Sequence, residues 1–149
     1  MTIESTAPGG PLTTEDRQRI TELFARYGWC FDSGDVAGFV ALFTSDATYE
    51  LDRGRRFVGS EQIGGYLAQA SASDWFAGRQ HHVDQIIIEG TTTRASARSY
   101  CTVTQRLNDG SMQLVYLGRY ADTCVKVDGQ WLFQQRIVRS WDSQDVRVS

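Results

Sequence analysis

Proline is nearly absent from this chain: its two residues, Pro8 and Pro11, both lie before position 12, so nothing beyond them forbids long unbroken helices or strands. Lysine is scarcer still. Lys126 is the only one among 15 basic residues, and it sits beside a Val127-Asp128-Gly129 turn signal. An exposed lysine there leaves no candidate for Schiff-base chemistry on a buried amine. The three cysteines, Cys30, Cys101 and Cys124, are odd in number and show no CxxC spacing. They read as small buried side chains in a reducing cytoplasm, with no disulfide framework and no zinc site. No apolar run approaches the ~18 residues of a membrane span, and the mean hydropathy is -0.35. Residues 1–12 lack a basic start and an apolar core, so they read as a disordered lead-in rather than a secretion signal. The net charge of -3 gives no basic patch for nucleic acid. Glycine-rich nucleotide loops, Gly-x-Ser-x-Gly and His-Glu-x-x-His are all missing, which excludes nucleotide cofactors and serine-hydrolase chemistry.

What remains is an ordinary globular composition in 149 residues, enough for one domain over 13–149. Thr13 with Asp16 forms a capping-box pattern, and Ile20, Leu23, Phe24, Tyr27 and Phe31 follow at helical spacing. Ser33-Gly34 ends that helix, and Asp35 or Gly34 caps a short second one carrying Phe39, Val40, Leu42 and Phe43. A strand over Thr48–Leu51 pairs with Arg55–Val58, and Gly59-Ser60-Glu61 opens a third helix. After a loop holding Trp75 and Phe76, four extended runs follow, with turns at Asn108-Asp109-Gly110 and Asp128-Gly129. Helices first and long antiparallel strands later predict an α+β fold, with the helices against one face of a curved sheet.

Both histidines stand in Gly78–Gly90, a β-branched segment that reads as a strand. Strict alternation places His81, Val83, Gln85 and Ile87 on one face, with His82, Asp84, Ile86 and Ile88 on the other. Histidine is the side chain suited to proton transfer near neutral pH, so His81 is the candidate base. Adjacent strand residues diverge, so His81 and His82 make no metal site. Asp32 is its candidate partner. A carboxylate at the electronegative end of a helix needs a donor or cation facing it, and an imidazole would supply one while having its tautomer fixed. Tyr27 lies five residues earlier, about 140° away round an ideal helix. Tyr49, Trp75, Tyr100 and Tyr116 are further aromatic candidates for a pocket wall. Arg136 and Arg139 fall on opposite faces of the last strand, one toward solvent and one toward a carboxylate.

Several stretches in this order resemble the SnoaL-like branch of the nuclear transport factor 2-like superfamily. They are Tyr27-Gly-Trp-Cys-Phe-Asp32-Ser-Gly-Asp35, Leu42-Phe43-Thr44-Ser45-Asp46-Ala47, Gly59-Ser-Glu-Gln-Ile63, Gln80-His81-His82-Val83-Asp84-Gln85, Gly118-Arg119-Tyr120-Ala-Asp122 and Gly129-Gln-Trp131 with Arg136 beyond. The resemblance implies a cone-shaped α+β barrel, a strongly bent sheet and three helices around a cavity. Tyr27, Asp32 and His81 look like the catalytic tyrosine, aspartate and histidine of bile acid 7α-dehydratase. Many relatives carry asparagine where Gln85 stands.

The resemblance further implies a cofactor-independent lyase or isomerase of dehydratase type. A His81–Asp32 dyad would abstract a proton from a hydrophobic oxygenated ring compound, with Tyr27 assisting and Tyr49, Trp75, Tyr100 and Arg136 binding substrate. Polyketide cyclisation or epoxide opening in the same pocket is the alternative. A non-catalytic assembly subunit, like the β subunits of ring-hydroxylating dioxygenases, is another. No metal or cofactor, no nucleic acid and no membrane partner is expected; a homodimer or homotrimer built through the sheet is.

Overall fold

Helix α1, Thr14–Ser33, begins where Thr13 and Asp16 close a capping box: the Asp16 amide donates to Thr13 Oγ1 at 3.0 Å and the Thr13 amide to Asp16 Oδ2 at 3.2 Å. It ends at Gly34, whose φ of 68° is the left-handed C-cap conformation that glycine adopts without steric cost. Asp35 then caps the short α2, Val36–Val40, by accepting the Gly38 amide at 2.9 Å. These elements come from a computed structural model, which describes residues 9–141. Strand β1, Phe43–Glu50, is followed by a 3₁₀ turn at Asp52–Gly54, by β2, Arg56–Val58, and by α3, Gly59–Ser71. The second half is four long strands: β3, Arg79–Gly90; β4, Arg94–Arg106; β5, Met112–Val127; and β6, Gln130–Ser140.

The six strands form one open sheet in the order β2-β1-β6-β5-β4-β3. Among the described residues, only β1 and β6 run parallel; every other pair is antiparallel. The fold is the expected α+β architecture, three helices against a curved sheet that stays open between β2 and β3. Register shifts interrupt the β1–β6, β3–β4, β4–β5 and β5–β6 pairings. Each irregularity bends its strand and re-aims the side chains beyond it.

Two of these shifts overturn strict alternation. At Gln85 the backbone turns left-handed, φ 53°, between the Asp84–Tyr100 and Ile87–Arg98 pairs. Beyond this bulge the inward residues are Ile86 and Ile88, while Gln85 and Ile87 face out. The expected His81, Val83, Gln85, Ile87 face is therefore correct only as far as Val83. On β6 a similar shift lies between the Phe133–Cys124 and Gln135–Thr123 pairs. It brings Arg136 onto the same inner face as Trp131 and Phe133.

The inner face and the helices share one core. Phe24, Tyr27 and Phe31 of α1 meet Phe39, Phe43, Tyr49, Ile63, Leu67 and Phe133, all at most 5% exposed. Burying a large apolar side chain stabilises by about 1.5–3 kcal/mol, so this cluster dominates the fold's favourable terms. Lys126 is not free in solvent as expected. Its Nζ lies 2.6 Å from Asp16 Oδ1, and its ammonium sits over the Trp131 ring. Part of the expected lead-in, residues 1–8, lies outside the described residues. Residues 9–12 are built against the sheet: Pro11 bridges Thr91, and the Thr92 amide donates to the Gly10 carbonyl at 2.9 Å.

Candidate active site

The last turn of α1 carries Asp32 to the first residues of β3. Just before them, Gly78 has φ 81° and lies so close to the end of β4 that a Cβ there would collide with the Arg106 carbonyl oxygen. Asp32 Oδ2 accepts the His81 backbone N–H at 2.8 Å, and Oδ1 lies 2.6 Å from His81 Nδ1. One carboxylate thus holds both the strand and the ring. An ionised carboxylate has only acceptor sites, so Nδ1 carries the hydrogen and the lone pair is left on Nε2. The His81 side chain is 10% exposed and that of Asp32 19%. The helix-end position of Asp32 is compensated by these two donors.

His81 lines a cavity of about 440 Å³ between α1, α3 and the sheet. Its apolar wall is Phe31, Leu51, Val103 and Val138, and its aromatic wall is Tyr27, Tyr49, Tyr66, Tyr116 and Tyr120. The Phe31 ring lies 4.7 Å from the imidazole, centroid to centroid, and Tyr27 stands edge-on to it at 6.0 Å. Asp32 does not line the cavity; it backs the imidazole from outside.

The Tyr27 and Tyr49 hydroxyls are 2.6 Å apart. Burial pushes both phenols well above their ordinary values, so both remain protonated. Two hydroxyl hydrogens share one mutual hydrogen bond, which leaves one O–H to donate to a ligand. Cys101 Sγ lies 2.9 Å from the Tyr120 hydroxyl, and burial pushes its thiol up to about 11, so it offers no thiolate nucleophile at neutral pH.

Behind Tyr27 lies a buried ion pair. Arg136 donates from Nε and a terminal nitrogen to the two Asp122 oxygens at 2.8 and 2.9 Å, and neither side chain is exposed. The guanidinium is packed 3.8 Å from the Tyr120 ring centroid and 4.2 Å from those of Tyr27 and Phe133. Desolvation alone would lower the Arg136 pKa, but the Asp122 charge and hydrogen bonds outweigh it and hold the cation.

Of the residues singled out by sequence, His81, Tyr27, Tyr49, Trp75 and Tyr116 line one cavity, with Asp32 bonded to His81. Trp75 is at its rim, 42% exposed. Two expected substrate-binding residues are misplaced. Tyr100 is on the outer face of β4, 46% exposed and edge-on to Trp141, because β4 alternates without a bulge from Ala95 to Val103 and turns only odd positions inward. Arg136 supports the cavity from behind Tyr27 and does not line it. Nor does either arginine of β6 go free to solvent, since Arg139 pairs with Glu50. Sequence reading missed Phe31, Tyr66, Arg55, Arg79 and Asp52 as lining residues. Phe31 and Tyr66 were visible on apolar helix faces. Asp52, Arg55 and Arg79 sit in turns or at strand starts, where no periodicity marks a direction. Among the described residues, no group of three or more His, Cys, Asp and Glu side chains could hold a metal ion, and no helix is long and apolar enough to cross a membrane.

The SnoaL-like domain model matches residues 12–137. The chain belongs to the SnoaL-like domain family. A protein of unknown function with a cystatin-like fold, from Nostoc punctiforme, superposes on this SnoaL-like chain with a TM-score of 0.80 at 27% identity, covering 89% of this chain and 96% of that one. Aln2 from a Streptomyces species gives 0.80 at 25% identity, over 88% of this chain and 94% of its own. A candidate scytalone dehydratase from Novosphingobium aromaticivorans gives 0.75 at 25% identity, over 91% and 90%. No curated protein matches the chain in sequence.

Proposed function

We propose that this SnoaL-like protein is a lyase or isomerase of dehydratase type, working on an oxygenated ring compound by proton abstraction next to a carbonyl. The observation that carries this reading is the 2.6 Å contact between Asp32 Oδ1 and His81 Nδ1, on an imidazole lining an aromatic cavity. The likeness to a candidate scytalone dehydratase points the same way.

His81 Nε2 takes the proton from the carbon α to the carbonyl, the C–H electron pair becomes a C=C bond, and the carbonyl oxygen takes the negative charge. Asp32 stabilises the imidazolium through Nδ1–H, and the uncommitted hydroxyl of the Tyr27–Tyr49 pair donates to the oxyanion. The enolate then re-forms the carbonyl and expels a β-hydroxyl, which leaves as water with the proton from Nε2. Cyclisation and double-bond shift begin with the same abstraction and differ only in what the enolate attacks or where the proton returns.

The test uses a panel of cyclic ketones in deuterated buffer, followed by NMR for α-proton exchange, together with 3-hydroxy-1-tetralone, whose dehydration yields 1-naphthol. Wild-type protein accelerates exchange or dehydration, and His81→Asn or Asp32→Asn loses ~10²–10⁴-fold while keeping its fold. Equal rates for wild type and the folded His81→Asn variant contradict the assignment.

A further inference from the structure

Arg79 and Arg55 are two arginines of the cavity's lining, and neither has a carboxylate partner within ion-pair distance among the described residues. Arg19, Arg136 and Arg139 are paired with carboxylates, and what sets Arg79 and Arg55 apart from the other unpaired arginines is their place in the cavity lining. Arg79 is held firmly. Its Nε donates to the Trp75 carbonyl at 2.8 Å, and its guanidinium lies 4.6 Å from the centroid of the Trp75 ring. The Trp75 carbonyl also accepts from Gln105 Nε2 at 2.9 Å, so the loop beneath the arginine is itself tied to β4. Plane and Nε are thus fixed, while the two terminal nitrogens have no protein acceptor among the described residues. A guanidinium oriented in this way is prepared for a planar two-oxygen acceptor. Arg55 lines the same cavity from the turn closed by the Leu51 amide donating to the Arg55 carbonyl at 2.7 Å.

Among the described residues, Asp52 is the lining's only carboxylate, and it is engaged: the Ser140 amide lies 3.0 Å from each of its oxygens, and the Tyr116 hydroxyl donates to Oδ2 at 3.2 Å. The rim thus carries two cations against one occupied anion. Both arginines oppose the burial that pushes the Tyr66 phenol up, which puts them within electrostatic reach of one cavity group. Partial burial of Arg79 lowers its own pKa, the cost of a cation kept from water with no counter-ion.

Resting on the reading of this cavity as the substrate chamber, we infer that the substrate is a ring compound bearing a carboxylate, which Arg79 and Arg55 bind at the mouth while the ring lies against the tyrosines. The arginines are binding residues and take no part in the proton transfer. They decide which ring compounds stay long enough to meet His81.

The probes are 2-naphthoate and 2-naphthamide, alike in shape and different in charge, titrated calorimetrically into the full chain at pH 8. Naphthoate binds about tenfold more tightly than the amide to wild type. Arg79→Gln/Arg55→Gln removes that preference and leaves naphthamide affinity within about twofold, whereas a merely structural role would weaken both ligands alike. Arg79→Lys, which keeps the charge but not the fork, retains only part of the preference. If naphthoate gains nothing over naphthamide on wild type, including no binding by either, or if the double variant keeps the preference, the inference is wrong. Binding requires no turnover, so the two proposals fail separately. A charge preference in a protein whose His81→Asn variant still exchanges α-protons removes only the catalytic assignment; loss of exchange in that variant without any charge preference removes only this one.

Discussion

Asp122→Asn removes the charge that neutralises Arg136 and leaves a guanidinium with no exposed surface stacked beneath Tyr27. The cost follows from the burial. Breaking a buried pair by deleting one partner costs about 3–5 kcal/mol, because the survivor's desolvation is no longer compensated. One terminal nitrogen of Arg136 already lacks a partner among the described residues, so the cation has no second acceptor there to fall back on. Against a total stability of about 5–15 kcal/mol, such a loss leaves a marginal fold. With a urea slope of about 2 kcal/mol/M, a loss of about 4 kcal/mol moves the unfolding midpoint down by about 2 M. The assay is urea unfolding followed by circular dichroism, on Asp122→Asn, on Arg136→Met and on Asp122→Leu/Arg136→Met. Replacing both partners removes both desolvation costs, so the double variant is more stable than either single one. A loss below about 1 kcal/mol in Asp122→Asn with an unchanged slope, or a double variant as unstable as the two losses summed, would refute this reasoning.

Asp16 gives the pH dependence. Its hydrogen bond with Lys126 holds the carboxyl well below the usual range, helped by Trp131 and Thr13 against the opposing effect of burial. A depressed folded-state pKa contributes stability that is fully present above the unfolded value near ~3.9 and is lost as pH falls toward the folded one. Asp16→Asn therefore lowers the melting temperature at pH 7 and flattens its decline below about pH 4; an unchanged acid limb counts against the assignment. Gln85→Asn, placing a residue more tolerant of the left-handed conformation at φ 53°, raises stability by about 0.5 kcal/mol in thermal unfolding, and a drop contradicts the bulge geometry. The outer sheet face exposes Ile87, Tyr100 and Leu117, with Trp141 beside Tyr100, and we expect a second copy of the chain to cover it. Light scattering at micromolar concentration then gives a dimer or trimer, and a monomer ends that expectation.

The elements were legible in the sequence because their signals are local. Thr13 with Asp16, Gly34, and the Asn108-Asp109-Gly110 and Asp128-Gly129 turns each fix a boundary by their own chemistry. Strand direction was legible only until the first bulge. A bulge adds one residue and reverses every face beyond it, and neither Gln85 nor Gln134-Gln135 carries a residue type that announces it. Hence His81 and Val83 were assigned to the correct face, whereas Gln85 and Ile87 were not. Tyr100 is a different failure. The run Ala95, Ala97, Ser99, Cys101 and Val103 marks the inner face of β4, and parity rather than aromatic character decides where Tyr100 points. The rim residues Asp52, Arg55 and Arg79 were out of reach because only tertiary placement decides where a turn residue points.

Central to the proposed chemistry is an imidazole whose Nδ1 is tied to Asp32 and whose Nε2 is free inside the cavity. A long-range proton–nitrogen NMR spectrum of selectively labelled histidine reports this directly, at a pH where the ring is neutral. The predicted spectrum has His81 as the Nδ1–H tautomer with an unprotonated Nε2, and Asp32→Ala loses that bias. A wild-type His81 carrying its hydrogen on Nε2 would contradict the account.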